Sequence, residues 1–362
     1  MLETAENKMF MNRCLDLAKG GKGLAAPNPM VGAVIVHGDR IIGEGFHHCY
    51  GEAHAEVNAI RSVREEDRVL LKNSTLYVSL EPCSHYGKTP PCAELIIRTG
   101  IPRVVLACLD PYHKVSGRGV KMLQDANIEV VTGTMEQQAL ELNRYYMTVH
   151  QQKRPYIILK WAQSEDGFLD KIRTGVSEKP VQLSSPVSQI MLHKLRSENQ
   201  AIMVGTNTAI LDNPSLTVRH WIGKSPLRIL IDRDLKVPAG YHLLDGTTPT
   251  LVITGKEAVN QTNIEYVHVA DLPDLMKLLY ARNINSLLVE GGATLHRSFI
   301  NADLWDEIMV ETVPKALGSG VKAAELNNCE NLQLFHKKKI PFFTGKSTKY
   351  SLLDVYRRRC FN

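Results

Sequence analysis

Three residues far apart in the chain impose the tightest constraint on how it can fold. His54, Cys83 and Cys92 offer one imidazole and two thiols, a borderline-soft ligand set suited to Zn²⁺. One ion can bind all three only if the fold brings three separate segments to a single point. Glu56 follows the histidine in His54-Ala55-Glu56, where a free carboxylate can take a proton from a water in the fourth tetrahedral position. Pro91-Cys92 opens a predicted helix, whose dipole favours a thiolate at its start. His47, His48, Cys49 and His85 stand nearby, so spacing alone leaves a closed four-ligand structural site open beside the catalytic one.

The surrounding pattern is that of layered α/β domains. Met9–Lys19 repeats Phe10, Cys14, Leu17 and Ala18 at helical spacing before Gly20-Gly21. Val31–Val36 is an apolar run that His37-Gly38-Asp39 can turn back into Arg40–Gly43. Helices over His54–Glu65, from Pro91 and over Gly119–Ala126 alternate with strands at Thr75–Leu80 and Val104–Leu109. The polar segment His150–Pro155 divides the chain into domains 1–150 and 151–362. Beyond it, strands are expected at Tyr156–Trp161, Ala201–Val204, Leu227–Ile231, Thr250–Ile253, Ser286–Val289 and Glu307–Glu311. Helices are expected at Pro186–Leu195, Leu272–Ala281 and Thr294–Asn301.

Length and charge agree with this division. The 362 residues suit two domains of roughly 100–200 residues each. A net charge of +5 fits an anionic metabolite and is too mild to demand nucleic acid. The clusters His336–Lys339 and Arg357–Arg359 read as solvated faces. Seven scattered cysteines, a polar start and the lack of ~18 consecutive apolar residues predict a reduced, cytoplasmic protein without a membrane span.

The second half lacks Gly-x-Gly-x-x-Gly, so a classical dinucleotide fold is not predicted. Three features are informative instead. Gly205–Arg219 follows an apolar strand and is dense in hydroxyls and amides. Glu290-Gly291-Gly292-Ala293-Thr294 carries a strand through a glycine turn into a helix, a place for a phosphate. Lys160–Gly167 ends the first strand.

The run Glu81-Pro82-Cys83-Ser84-His85-Tyr86-Gly87-Lys88-Thr89-Pro90-Pro91-Cys92 resembles the signature of the bifunctional riboflavin-biosynthesis deaminase–reductases. Pro27–Gly32, Gly45-Phe46-His47, Gly51–Glu56 and Asp110–Gly119 match the same family. Common zinc deaminases separate the two cysteines by two residues, and this chain does not. The resemblance implies a cytidine-deaminase-like three-layer α/β/α domain followed by a dihydrofolate-reductase-like α/β domain. It implies Zn²⁺ on His54, Cys83 and Cys92, with Glu56 shuttling protons. Asn28, His47 and Lys88 would hold a phosphorylated pyrimidine. Without the resemblance, His47 would be an ordinary surface histidine and Lys88 an ordinary loop lysine.

In the second domain the resemblance implies NADPH. Ala162, Thr208, Asp212 and the turn Gly292, Ala293, Thr294, Leu295, His296, Arg297, Ser298 would face the cofactor. Arg196, Leu216, Arg219 and Glu290 would face the substrate, the arginines suited to its phosphate. The chain departs from the family over Lys171–Pro180 and Val181–Ser185, so no role is predicted for residues 168–182. A homo-oligomer is expected. The rival reading is a nucleoside or nucleic-acid deaminase with an unrelated second domain, which should interleave basic and aromatic residues near the metal. Tyr50, Tyr86 and Lys88 occur there without a basic stretch.

Overall fold

The structure is a computed structural model that describes residues 4–86, 90–112, 116–327, 329, 331–344 and 347–358. The chain divides into two compact units, Met1–Lys153 and Arg154–Asn362. The first unit holds helices α1 (Ala5–Ala18), α2 (Ala55–Ser62), α3 (Cys92–Thr99), α4 (Arg118–Asp125), α5 (Glu136–Leu142) and α6 (Arg144–Gln152). Its sheet has strands β1 (Gly32–His37), β2 (Arg40–Phe46), β3 (Thr75–Val78), β4 (Arg103–Leu106) and β5 (Glu129–Val131).

These strands run in the order β2-β1-β3-β4-β5. The β1–β2 hairpin turns at Gly38, whose φ of +57° favours glycine. Two-residue alternation sends the strands' side chains to opposite cores. Ala33 and Ile35 join Ala55, Ala59, Ala93 and Ile96 on one side. Val34 and Val36 join Phe10, Cys14, Ala139 and Met147 on the other. Helices therefore cover both faces, giving the expected α/β/α layering.

The second unit holds β6 (Tyr156–Ser164), β7 (Phe168–Asp170), β8 (Ala201–Gly205), β9 (Leu227–Ile231), β10 (Thr250–Thr254) and β11 (Ile264–His268). It continues with β12 (Ser286–Val289), β13 (Glu307–Val313), β14 (Val321–Lys322), β15 (Leu332–Thr344) and β16 (Ser347–Arg358). Its helices are α7 (Pro186–Ser197), α8 (Thr206–Asp212), α9 (Leu272–Ala281) and α10 (Ala293–Asn301). The main sheet runs β11-β10-β9-β8-β12-β6-β13-β16-β15. From β11 to β13 every neighbouring pair is parallel; the β15–β16 hairpin then adds two antiparallel strands. Parallel strands buried on both faces explain the continuous apolar runs Ile157–Leu159 and Leu287–Val289.

Several expectations are corrected. The helix predicted over His54–Glu65 stops at Ser62, and a 3₁₀ segment follows at Glu65–Asn73. Pro91 is the N-cap of α3 and lies outside its first turn. The strand predicted to Leu80 ends at Val78, because the Ser79 hydroxyl accepts the Gly32 N–H at 3.0 Å. The polar boundary segment is helical through Gln152, closed by Lys153 at φ +54°. Gly205–Arg219, for which no helix was expected, contains α8. The β15–β16 hairpin was not expected at all. His336–Lys339 are exposed on it, whereas Arg357 pairs with Glu307 at 2.8 Å and Arg358 with Asp303 at 2.6 Å.

Candidate active sites

In the first unit the predicted ligands converge. His54 caps α2, Cys83 follows β3, and Cys92 opens α3. The His54 Nδ1 lies 3.4 Å from Cys92 Sγ and 3.6 Å from Cys83 Sγ, and all three ligand atoms fall within 4.8 Å of one another. A tetrahedral Zn²⁺ with Zn–S of ~2.3 Å and Zn–N of ~2.1 Å would hold sulfur and nitrogen about 3.6 Å apart. The donors are thus already spaced for that ion. The Cys92 N–H donates to Cys83 Sγ at 3.3 Å. Hydrogen bonding from Cys92, and then from His54, holds the Cys83 thiol well below its usual range. Among the described residues no fourth histidine, cysteine or carboxylate joins the group, which leaves a coordination position for water.

Glu56 is buried in the first turn of α2, two residues past His54. Burial first, and the charge at Cys83 second, push its carboxyl up to about 7. A carboxyl titrating near neutrality can both accept and return a proton. His47, which would be a surface histidine on the residues alone, is only 2% exposed. Its Nδ1 donates to the Ala53 carbonyl at 3.1 Å, leaving Nε2 to accept from Asn28 Nδ2 at 3.1 Å. The His47 ring meets the His54 ring edge-on at 5.5 Å. Asn28, His47 and His54 are therefore brought together; Lys88 lies outside the described residues.

Two supporting residues carried no predicted role. Asn143 accepts the Met30 N–H at 2.8 Å and donates to the Met30 carbonyl at 2.9 Å, pinning the turn that carries Asn28. The buried Glu81 accepts backbone N–H groups from Asp110, Gly117, Gly119 and Val120 at 2.9–3.2 Å. It thereby caps α4 from another segment. A side chain at Gly119 would put its Cβ 2.2 Å from the Pro82 carbonyl, so only glycine fits beside Pro82-Cys83. The adjacency of Glu81 to Cys83 was visible; its four backbone partners were not.

In the second unit a cleft of about 700 Å³ opens at the carboxyl ends of β8, β9 and β12, the usual place for a ligand in a parallel sheet. Ala162, Thr208, Asp212, the turn Gly292–His296 and Ser298 line it, while Arg297 is exposed outside the lining. The Thr208 hydroxyl accepts the Gly292 N–H at 2.9 Å, joining the starts of α8 and α10. The first turn of α10 presents its remaining N–H groups as a helix start does for a phosphate. The His296 ring meets Trp161 at a tilt, with centroids 5.0 Å apart, and donates from Nε2 to the Val289 carbonyl at 3.1 Å. Its Nδ1 is buried without a partner, an acceptor left for a ligand. Backbone donors at a helix start, a hydroxyl and an orphaned acceptor fit a nicotinamide dinucleotide.

The four residues expected at the reductase substrate separate. Glu290 lines the cleft, while Arg196, Leu216 and Arg219 lie outside its lining. Arg196 is buried, and its guanidinium is occupied by both oxygens of Glu290 and by the Thr217 carbonyl at 3.2 Å. Three of its N–H groups are thus engaged within the protein. Leu216 is buried at φ +53°. Arg219 is exposed, its guanidinium held at the Thr217 hydroxyl at 3.1 Å, with no carboxylate in ion-pairing range among the described residues.

A His/Cys/Cys centre with a buried glutamate, followed by a parallel-sheet unit with a helix-start cleft, defines a zinc-dependent deaminase joined to a reductase. Residues 4–108 match the cytidine and deoxycytidylate deaminase zinc-binding region, and residues 155–341 match the RibD C-terminal domain. The riboflavin biosynthesis protein RibD of Aquifex aeolicus is 42% identical over 345 residues, covering 92% of this chain and 95% of its own. That of Escherichia coli is 36% identical, covering 88% and 90%. A Thermotoga maritima crystal structure of a diaminohydroxyphosphoribosylaminopyrimidine deaminase/5-amino-6-(5-phosphoribosylamino)uracil reductase superposes with a TM-score of 0.86. It is 32% identical and covers 98% of this chain and 99% of its own. Acinetobacter baumannii RibD gives a TM-score of 0.83 at 31% identity, with 98% and 99% covered. This chain belongs to the RibD family of riboflavin biosynthesis proteins. No helix among its described residues is long and apolar enough to cross a membrane.

Proposed function

We propose that this chain carries out two consecutive steps on one phosphorylated pyrimidine. Residues 1–150 hydrolyse the ring amine of a diamino-ribosylamino-pyrimidinone 5'-phosphate, releasing ammonia. Residues 151–362 then reduce the ribosyl group to a ribityl chain. When bound, zinc supplies Lewis-acid activation of a water and NADPH supplies hydride. The observation that carries this reading is the 3.4–3.6 Å spacing of His54 Nδ1 from both cysteine sulfurs, with Glu56 buried beside them.

His54, Cys83 and Cys92 hold the zinc. Glu56 takes the proton of the attacking water and delivers it to the departing amine. Asn28 and His47 orient the pyrimidine, and Lys88 meets its phosphate. In the second unit Ala162, Thr208, Asp212 and the Gly292–Ser298 turn receive the cofactor. Glu290, fixed by Arg196, orients the sugar, and Leu216 faces the same substrate. Arg219, whose guanidinium has no carboxylate in ion-pairing range among the described residues, suits the phosphate. Free cysteines suit the cytoplasm, and the exposed Tyr50 and Tyr86 lie in a stretch of sequence without a basic run, which disfavours nucleic acid. Exposed Leu334, Phe335 and Tyr350 on the terminal hairpin favour a homo-oligomer.

Glu56→Gln tests the deaminase assignment. The variant should keep its zinc and lose ammonia release by about 10²–10⁴-fold, the range of a general acid–base. Ammonia release at the parental rate by a zinc-loaded variant would remove Glu56 from the chemistry.

A further inference from the structure

Just after β7 the structure places an arginine whose guanidinium is held by three separate acceptors. β7 pairs with β14, and Gly320 at φ +152° allows the approach, since a Cβ there would lie 2.1 Å from the Asp170 carbonyl. Asp170 Oδ1 then accepts the N–H groups of Lys171 at 2.8 Å and Val181 at 2.9 Å, closing the base of the 171–180 loop. Lys171, Ile172, Thr174 and Val176 on that loop are exposed, yet the Arg173 side chain is only 6% exposed. Its Nε lies 2.7 Å from Asp170 Oδ2, its Nη1 donates to the Leu211 carbonyl at 3.0 Å, and its Nη2 donates to Asp212.

Leu211 and Asp212 are the last residues of α8. A carboxylate at a helix C-terminus faces the negative end of the helix dipole and needs a cation beside it. Arg173 supplies that cation. Asp212 also lines the cleft, as do Asp170, Ile172 and Arg173 itself. Removing the guanidinium would leave a bare carboxylate on the wall that a polyanionic cofactor must approach.

We propose that Arg173 is a positioning residue of the reductase site, latching the 171–180 loop to the end of α8 and thereby fixing both the cofactor-side wall and the orientation of Asp212. The proposal rests on the reading of this cleft as the NADPH site.

The test compares the parent with Arg173→Ala and Arg173→Lys as full-length proteins, by NADPH binding and by protease access to the loop. A glutamate-specific protease cutting between Glu178 and Lys179 is suitable, since neither substitution alters that bond. Arg173→Ala should be cut several-fold faster and bind NADPH roughly tenfold more weakly, the scale of one charge-assisted hydrogen bond. Arg173→Lys should recover part of both, and ammonia release should stay at the parental rate. NADPH affinity unchanged in Arg173→Ala, when the parent binds it, would overturn the proposal. A parent that does not bind NADPH would overturn the cofactor reading instead, and an unchanged cutting rate would then overturn the latch separately.

Discussion

Arg196 and Glu290 face each other through two parallel hydrogen bonds, Nε to Oε1 at 2.8 Å and Nη2 to Oε2 at 2.7 Å, with each side chain only 9% exposed. One charge belongs to α7 and the other directly follows β12, so the pair joins a helix to the strand that opens the cleft. Removing either partner strands a buried charge. Arg196→Leu should therefore cost about 3–5 kcal/mol of stability, whereas Arg196→Leu with Glu290→Leu should cost clearly less than the two single changes added together. Denaturant titration of the three variants measures the coupling; simple additivity would show that the pair carries none.

The same pairing sorts the two arginines expected at the substrate. Arg196 is engaged by Glu290, while Arg219 has no carboxylate in ion-pairing range among the described residues. Arg219→Ala should raise the substrate KM roughly tenfold and leave the NADPH KM little changed, as loss of one charge-assisted phosphate contact requires. Steady-state kinetics of the reductase step on the deaminated intermediate decides this. An unchanged substrate KM would remove Arg219 from the site.

Legibility differed between the halves for physical reasons. His54, Glu56, Cys83 and Cys92 could be read because metal ligands must be particular residue types, and β1 and β12 because buried strands must be apolar. His47 and Asn28 came from resemblance, since burial and a tautomer-fixing carbonyl are tertiary facts. Asn143 lies far along the chain from Met30, so nothing local announces their bond. The β15–β16 hairpin hid behind Lys337, Lys338 and Lys339, which are polar because β15 is a sheet edge. Arg173 was invisible because only the folded loop brings it to Asp212.

Burial of His296 has a pH signature. Loss of solvation holds its imidazole down to about 4, below the ordinary value of about 6.5. Between those values the unfolded ring binds a proton that the folded ring does not, so stability falls as pH drops through this window and is unaffected above it. The expected slope is about 1.4 kcal/mol per pH unit from this residue, or about 3 kcal/mol across the window. His296→Gln should lack that part of the slope. Denaturant titrations of parent and variant from pH 4 to pH 7 check it, and parallel stability curves would contradict it.

Metal removal should separate the two activities. His54, Cys83 and Cys92 lie in the first unit, and the residues of the cleft all lie in the second. A strong zinc chelator should abolish ammonia release while NADPH binding and reduction of a supplied deaminated intermediate persist. Adding Zn²⁺ back should restore the first step. Loss of NADPH binding on chelation would mean that the metal holds more than its own site.

The most direct measurement supplies the purified protein with the diamino-ribosylamino-pyrimidinone phosphate and NADPH, and follows ammonia and NADPH separately. Two consecutive steps predict that both signals appear, with NADPH oxidation lagging behind ammonia release and absent in Glu56→Gln. NADPH oxidation that begins without a lag and persists in Glu56→Gln would contradict the order of the steps, and ammonia release without any NADPH oxidation would contradict the reductase assignment.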